Sequence, residues 1–197
     1  MPVLIMLLAF VVRPLWTPAD LRPVADQAHG YTVFVVAQSG GSRTSASGVL
    51  IHGGLVLTDL HGLVERQADG SLAGAEILVV VDGLGPLPAK LAGADATLGI
   101  ALLQLPDEAR QLPGAEIATS DPNIADELLA MGTDGKVVDV LGVRIDHIGV
   151  PLLHTSATLP ESFRGGPLFD AACHLAALEL PAGAAAASSV LRLLEQR

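Results

Sequence analysis

The 197-residue chain is half hydrophobic, enough to bury one large core or two smaller ones. Its 11 Lys and Arg against 21 Asp and Glu leave a net charge of −10, which repels phosphate backbones, and aromatic residues at 3% offer almost no stacking platform, so nucleic-acid binding is not expected. Cys173 is the single cysteine, which excludes an intramolecular disulfide and a thiolate-rich zinc site.

Residues 1–16 form an apolar N-terminal segment. The unbroken run from Pro2 to Val12 has eleven residues, too few for the about 20 that a membrane-spanning helix takes. Its length suits a signal-peptide core, and Thr17-Pro18-Ala19 offers small residues for cleavage, yet no Lys or Arg precedes it. A buried strand or helix of the mature fold is the alternative. Export (periplasmic or secreted) or membrane tethering is therefore expected ahead of a cytoplasmic location, with membrane association only through this segment.

Residues 17–197 then read as one domain of two lobes, about 21–110 and 120–197. A short helix is expected over Pro18 to Gln27, capped by Thr17. Short apolar or β-branched runs follow at Tyr31–Gln38, Ser47–Ile51, Gly54–Thr58, Ile77–Val81, Leu87–Ala92 and Ile100–Leu105, separated by turn residues. The stretch Pro106 to Asp126 marks an inter-lobe connection. Strands resume at Leu128–Met131, Val137–Arg144, Leu152–Thr155, Pro167–Phe169 and Leu175–Leu180. The alanine run Ala182 to Ala187 reads as the approach to a closing helix over Ser188 to Gln196, whose apolar face carries Val190, Leu191, Leu193 and Leu194. Many short strands with little helix between them predict an all-β fold of paired antiparallel barrels.

Three segments carry chemistry in a recognisable order. Ser47-Gly48-Val49-Leu50-Ile51 and Gly54 to Thr58 lead into Asp59-Leu60-His61. Gly93 to Leu103 contains Asp95 and ends Gly99-Ile100-Ala101-Leu102-Leu103. Ser162-Phe163-Arg164-Gly165-Gly166-Pro167-Leu168 has the form of a nucleophile loop in which the glycines let two backbone amides point at a carbonyl.

Together these segments resemble the trypsin-like serine peptidases, most closely the HtrA/Deg type, over roughly Leu21 to Leu194. The resemblance implies two six-stranded antiparallel β-barrels with a C-terminal helix and an active site in the crevice between them. It puts the catalytic histidine at His61, the orienting aspartate at Gly99 and the nucleophilic serine at Arg164. It also puts oxyanion-type backbone donors at Ser162 and Arg164, followed by an intact Gly165-Gly166-Pro167 turn. Glycine cannot hold an imidazole tautomer and arginine cannot attack a carbonyl, so two of three triad positions have lost their groups. A degenerate, non-catalytic peptidase domain that binds a peptide or protein partner, as a scaffold or regulator, is the expectation. The alternative is a divergent serine endopeptidase using Ser162 with His61.

Arg164 is expected to reach solvent or to pair with a local acid, Glu161 or Asp170, rather than to clamp a carboxylate. His61 is expected as a packed relic, because Asp59 and Asp95 stand at the wrong offsets to replace an aspartate at Gly99. Cys173 reads as a small buried thiol. His29, His52, His147, His154 and His174 lack the spacing of metal ligands, and no metal or cofactor is expected.

Overall fold

The computed structural model describes residues 11–16, 21–39, 41–63 and 75–196. Six strands close the first barrel: β2 (Thr32–Ser39), β3 (Ser42–Ile51), β4 (Leu55–Asp59), β5 (Glu76–Val81), β6 (Gly85–Asp95) and β7 (Ile100–Gln104), in the order β2-β3-β4-β7-β6-β5. The second barrel consists of β8 (Glu127–Thr133), β9 (Val137–Ile148), β10 (Leu153–Thr155), β11 (Pro167–Phe169), β12 (Leu175–Leu180) and β13 (Gly183–Ala186). It runs β9-β10-β13-β12-β11-β8 and closes through the β8–β9 pairing. Both barrels are antiparallel throughout, as the strand spacing predicted.

β1 (Val11–Trp16) was not foreseen as part of either barrel. It adds a parallel strand to β9, in register from Val11 against Val137 to Trp16 against Leu141, with an irregularity between Pro14 and Trp16. Proline has no N–H to give a ladder, and β1 pairs on one side only, the setting in which a strand tolerates it. The last six residues of the N-terminal segment thus join the second sheet. Its residues 1–10 lie outside the described residues, and so does the Thr17 cap. Helix α1 runs Arg22–Ala28, with Pro23 in its first turn, where a missing N–H is harmless. No helix among the described residues is long and apolar enough to cross a membrane.

The period-two alternation of each strand divides its side chains between two cores. Val56, Ala101, Leu103 and Leu50 fill the first barrel, with Val33, Val35 and Val79. Their neighbours Val49, Leu57, Ile100 and Leu102 point outward and pack on Leu129, Met131, Phe169 and Leu178 of the second barrel. Both faces are buried, which is why β4 and β7 read as continuous apolar runs rather than as alternating ones. The second barrel is filled mostly by small residues, including Ala130, Ala177, Ala184 and Ala186, and by the fully buried Phe163.

The alanine run before the last helix is itself a strand. β13 pairs with β12 from Ala177–Ala186 to Leu180–Gly183 and with β10 at Leu153–Ala184, because alanine is the size that fits this narrow interior. Helix α2 (Ala187–Glu195) follows at once, and Asp121 of the inter-barrel connection accepts from the Ser188 N–H and hydroxyl at 2.8 and 2.7 Å. That connection is fastened to both barrels, through Ala115 against Ile51 and Ile117 against Leu175.

Candidate functional site

Asp59 is the last residue of β4 and is fully buried. Its side chain caps the short 3-10 turn Leu60–Gly62 that breaks the strand, with Oδ1 accepting from the His61 backbone N–H at 3.2 Å. The same oxygen lies 3.0 Å from His61 Nδ1. The other, Oδ2, accepts from Arg164 Nε at 2.5 Å. One buried carboxylate therefore joins the histidine of the first barrel to the arginine of the second. This overturns one expectation, since Arg164 pairs with Asp59 rather than with Glu161 or Asp170, and it gives His61 a bonded partner in Asp59. The offset of two residues works because the 3-10 turn folds the imidazole back over its own strand end.

Gly99 stands directly against that imidazole. At φ +80° it takes a left-handed turn, and a Cβ built there would lie 2.5 Å from His61 Cε1 and 2.8 Å from Nδ1. Its carbonyl accepts from the Leu60 N–H at 2.7 Å. Gly99 thus touches His61, and Asp59 links His61 to Arg164. Asp95 does not join them. Its Oδ1 accepts from Thr97 and Leu98 N–H at 2.9 and 3.0 Å, which closes the β6–β7 turn.

The loop ahead of β11 is held by a polar set that sequence reading missed. Ser47 Oγ donates to the Ser162 carbonyl at 2.6 Å and accepts from the Thr133 N–H at 2.7 Å, and Thr58 Oγ1 donates to the Ser47 carbonyl at 2.6 Å. Ser47 N–H also donates to the Arg164 carbonyl at 2.8 Å. The only sequence signal was a serine and a threonine amid apolar strands, a pattern without a chemical signature of its own. Gly165, at φ +76°, permits the approach: a Cβ there would collide with the Ser47 carbonyl oxygen and sit 2.7 Å from the Asp59 nitrogen.

Of the two backbone amides expected to serve an oxyanion, at Ser162 and Arg164, that of Arg164 is committed: a 3-10 turn over Glu161–Phe163 gives its N–H to the Glu161 carbonyl at 3.1 Å. The next amide, Gly165 N–H, donates to the Glu179 carbonyl at 2.8 Å. Phe163, buried inside the second barrel, anchors that turn. The Ser162 hydroxyl lies 3.5 Å from Asp139 Oδ2 and shares no hydrogen bond with His61 among the described residues.

The profile of the trypsin-like peptidase domain matches residues 46–178, from within β3 into β12. The chain belongs to the trypsin-like peptidase family. Solved structures carry the same fold over nearly the whole chain. The serine endoprotease from Yersinia pestis superposes with a TM-score of 0.74 at 24% identity, covering 92% of this chain and 67% of its own. The Rv3671c protease from M. tuberculosis in its active form gives 0.74 at 17% identity, covering 94% and 89%. Deg5 gives 0.73 at 20% identity, covering 88% and 91%. No curated protein matches the chain by sequence. The fold is thus that of the HtrA/Deg-type proteases, while the chemistry rests on this chain's own residues.

Two further groups are shaped by burial. Glu179, on β12, has its carboxyl pushed up to about 7 by desolvation, and its Oε2 is buried without a hydrogen-bond partner. Burial, then the nearby Asp170, raises the Cys173 thiol, which keeps it protonated and unreactive at neutral pH. No group of three or more His, Cys, Asp and Glu among the described residues is placed to hold a metal ion.

Proposed function

We propose that this trypsin-like peptidase domain binds a peptide or protein partner in the crevice between its barrels and does not hydrolyse it. The observation that carries the reading is Arg164: the residue at the nucleophile position is a guanidinium salt-bridged to a buried carboxylate, and its own N–H is taken by Glu161. Without a nucleophile the acyl-enzyme route is closed, and what oxyanion binding and positioning alone retain is roughly 10³–10⁴ over water, far below useful proteolysis. A preserved crevice framed by β-strands suits a chain segment in extended form.

A second reading is favoured by one observation, the Asp59–His61 pair at 3.0 Å, since a histidine oriented by a carboxylate is a competent base. It makes Ser162 the nucleophile of a divergent endopeptidase. A fluorophosphonate probe separates the two. The binding reading expects no labelling of the purified protein; labelling of Ser162 that His61→Ala abolishes would sink it.

A further inference from the structure

β9 and β10 form a hairpin that carries none of Asp59, His61, Gly99 and Arg164, and its register sets His154 directly opposite His147. Directly paired residues of an antiparallel ladder share a face, with Cβ atoms about 4.5–5.5 Å apart. Leu153, one position before His154, is buried and takes the barrel side, which sends both histidines outward. Both are exposed, their ring centroids stand 5.9 Å apart, and their planes lie 26° from parallel. No hydrogen bond or ion pair ties either imidazole to a described residue, whereas His29, His61 and His174 each face a carboxylate. Two glycines leave room beside the pair. A Cβ at Gly149 would lie 3.4 Å from His154 Nε2, and one at Gly183 would lie 3.5 Å from its Cε1. Without those atoms the ring is free to turn about its terminal torsion, which is broad and soft.

We propose that His147 and His154 bind one divalent late transition-metal ion, zinc or copper(II), through one nitrogen of each ring. Neutral imidazole is a preferred ligand of both ions. A metal about 2.0–2.1 Å from each nitrogen holds two ring centroids roughly 5–6 Å apart, the separation that the hairpin already sets. The rings need only turn until both nitrogens point at the ion. Two imidazoles fill part of a four-coordinate shell and water takes the rest, in keeping with the lack of a group of three or more His, Cys, Asp and Glu ligands among the described residues. Neither ring has a carboxylate behind it to raise its basicity, which makes the ion exchangeable rather than a permanent part of the fold. The pairing comes from strand register and not from a helical or short-loop spacing, so positions 147 and 154 look unrelated in sequence. The site is independent of what the crevice between the barrels binds.

The test is copper(II) titration of the intact, tag-free protein at pH 7.5, followed by electron paramagnetic resonance. The first equivalent is expected to show hyperfine coupling to two imidazole nitrogens, and a large excess of zinc should displace it. His147→Asn and His154→Asn should each weaken that equivalent about 100-fold, because the second imidazole binds within the same molecule at high effective concentration. His174→Asn, which removes an imidazole placed between Glu116 and Asp170, should leave it unchanged. Zinc at a hundredfold excess over its dissociation constant should raise the melting temperature by about 5–10 °C, an increase absent from the double variant. Metal-free melting curves check that the variants fold, and NMR of the unaltered protein needs no variant. One equivalent of zinc should shift the ring signals of His147 and His154 before those of His29, His52, His61 and His174.

A spectrum with a single coordinated imidazole overturns the proposal, as does a first equivalent that keeps its affinity in His147→Asn or His154→Asn. Loss of that equivalent in His174→Asn moves the site elsewhere and also overturns it. Zinc that shifts another histidine first has the same consequence.

Discussion

The Arg164 guanidinium meets the buried Asp59 carboxylate at 2.5 Å, across the boundary between the two barrels. Asp59 has no exposed side-chain surface, and Arg164 keeps 29%. Removing one partner of such a pair is worse than removing both, because it strands a charge. Arg164→Met, which leaves the carboxylate buried with only His61 beside it, is expected to destabilise by about 3 kcal/mol. Asp59→Asn should lose about half as much, since the freed guanidinium can reach water. Urea unfolding of both single variants and the double variant should show the double well short of their sum, with a coupling on the order of 2 kcal/mol. Strict additivity would mean that the pair does not hold the barrels together.

Gly165 and Gly53 share a left-handed backbone, at φ +76° and +80°, but not their surroundings. A Cβ at Gly53 meets nothing within 4 Å, so Gly53→Ala should lose only the conformational strain, about 1 kcal/mol. A Cβ at Gly165 meets the Ser47 carbonyl, the Asp59 nitrogen and Thr58 Oγ1, none of which moves without parting the barrels. Gly165→Ala should therefore be destabilised by about 3 kcal/mol or more. Equal midpoints for the two variants in urea would remove the structural role of the Gly165 turn.

The legible parts of the chain were those governed by local rules. Strand positions followed from turn residues, and motif order singled out His61, Gly99 and Arg164. The partner of Arg164 was not legible, because Asp59 and Arg164 are 105 residues apart and nearness in sequence favoured Glu161 and Asp170. The Asp59–His61 bond was passed over for the opposite reason: a two-residue offset looks unusable until the 3-10 turn is seen. β13 was hidden by composition, since an alanine run carries strong helix propensity and only the narrow second barrel overrides it. Glu179 gave no signal either, as one glutamate in the run Leu175–Leu180 does not reveal which side it faces.

Gly99→Asp with Arg164→Ser places the side chains of a triad on the right scaffold, yet the geometry opposes catalysis. An aspartate at φ +80° is strained, and its Cβ would press on the His61 ring, whose Nδ1 Asp59 already engages. The amide at position 164 would still be bonded to Glu161. The double variant is expected to stay unlabelled by fluorophosphonate and to lose about 2–4 kcal/mol of stability from the strain and the orphaned Asp59. Labelling of position 164 would show instead that the loop relaxes once the arginine is gone.

Glu179 gives the protein a stability that depends on pH in a defined direction. Its carboxyl titrates near 4.5 in a solvated chain and is pushed up to about 7 by burial in the fold. The neutral form is favoured in the native state, so this contribution is fully present below pH 4.5 and is lost as pH rises through 7. The loss is on the order of 3 kcal/mol. Glu179→Gln keeps the shape and removes the titration, while its unpaired amide adds a constant penalty that pH does not change. The stability of the variant relative to the native sequence should therefore climb by about 3 kcal/mol from pH 4.5 to pH 8, or roughly 6–12 °C in melting temperature for a domain of this size. A stability difference that does not change across this pH range would show that Glu179 is solvated in the native protein.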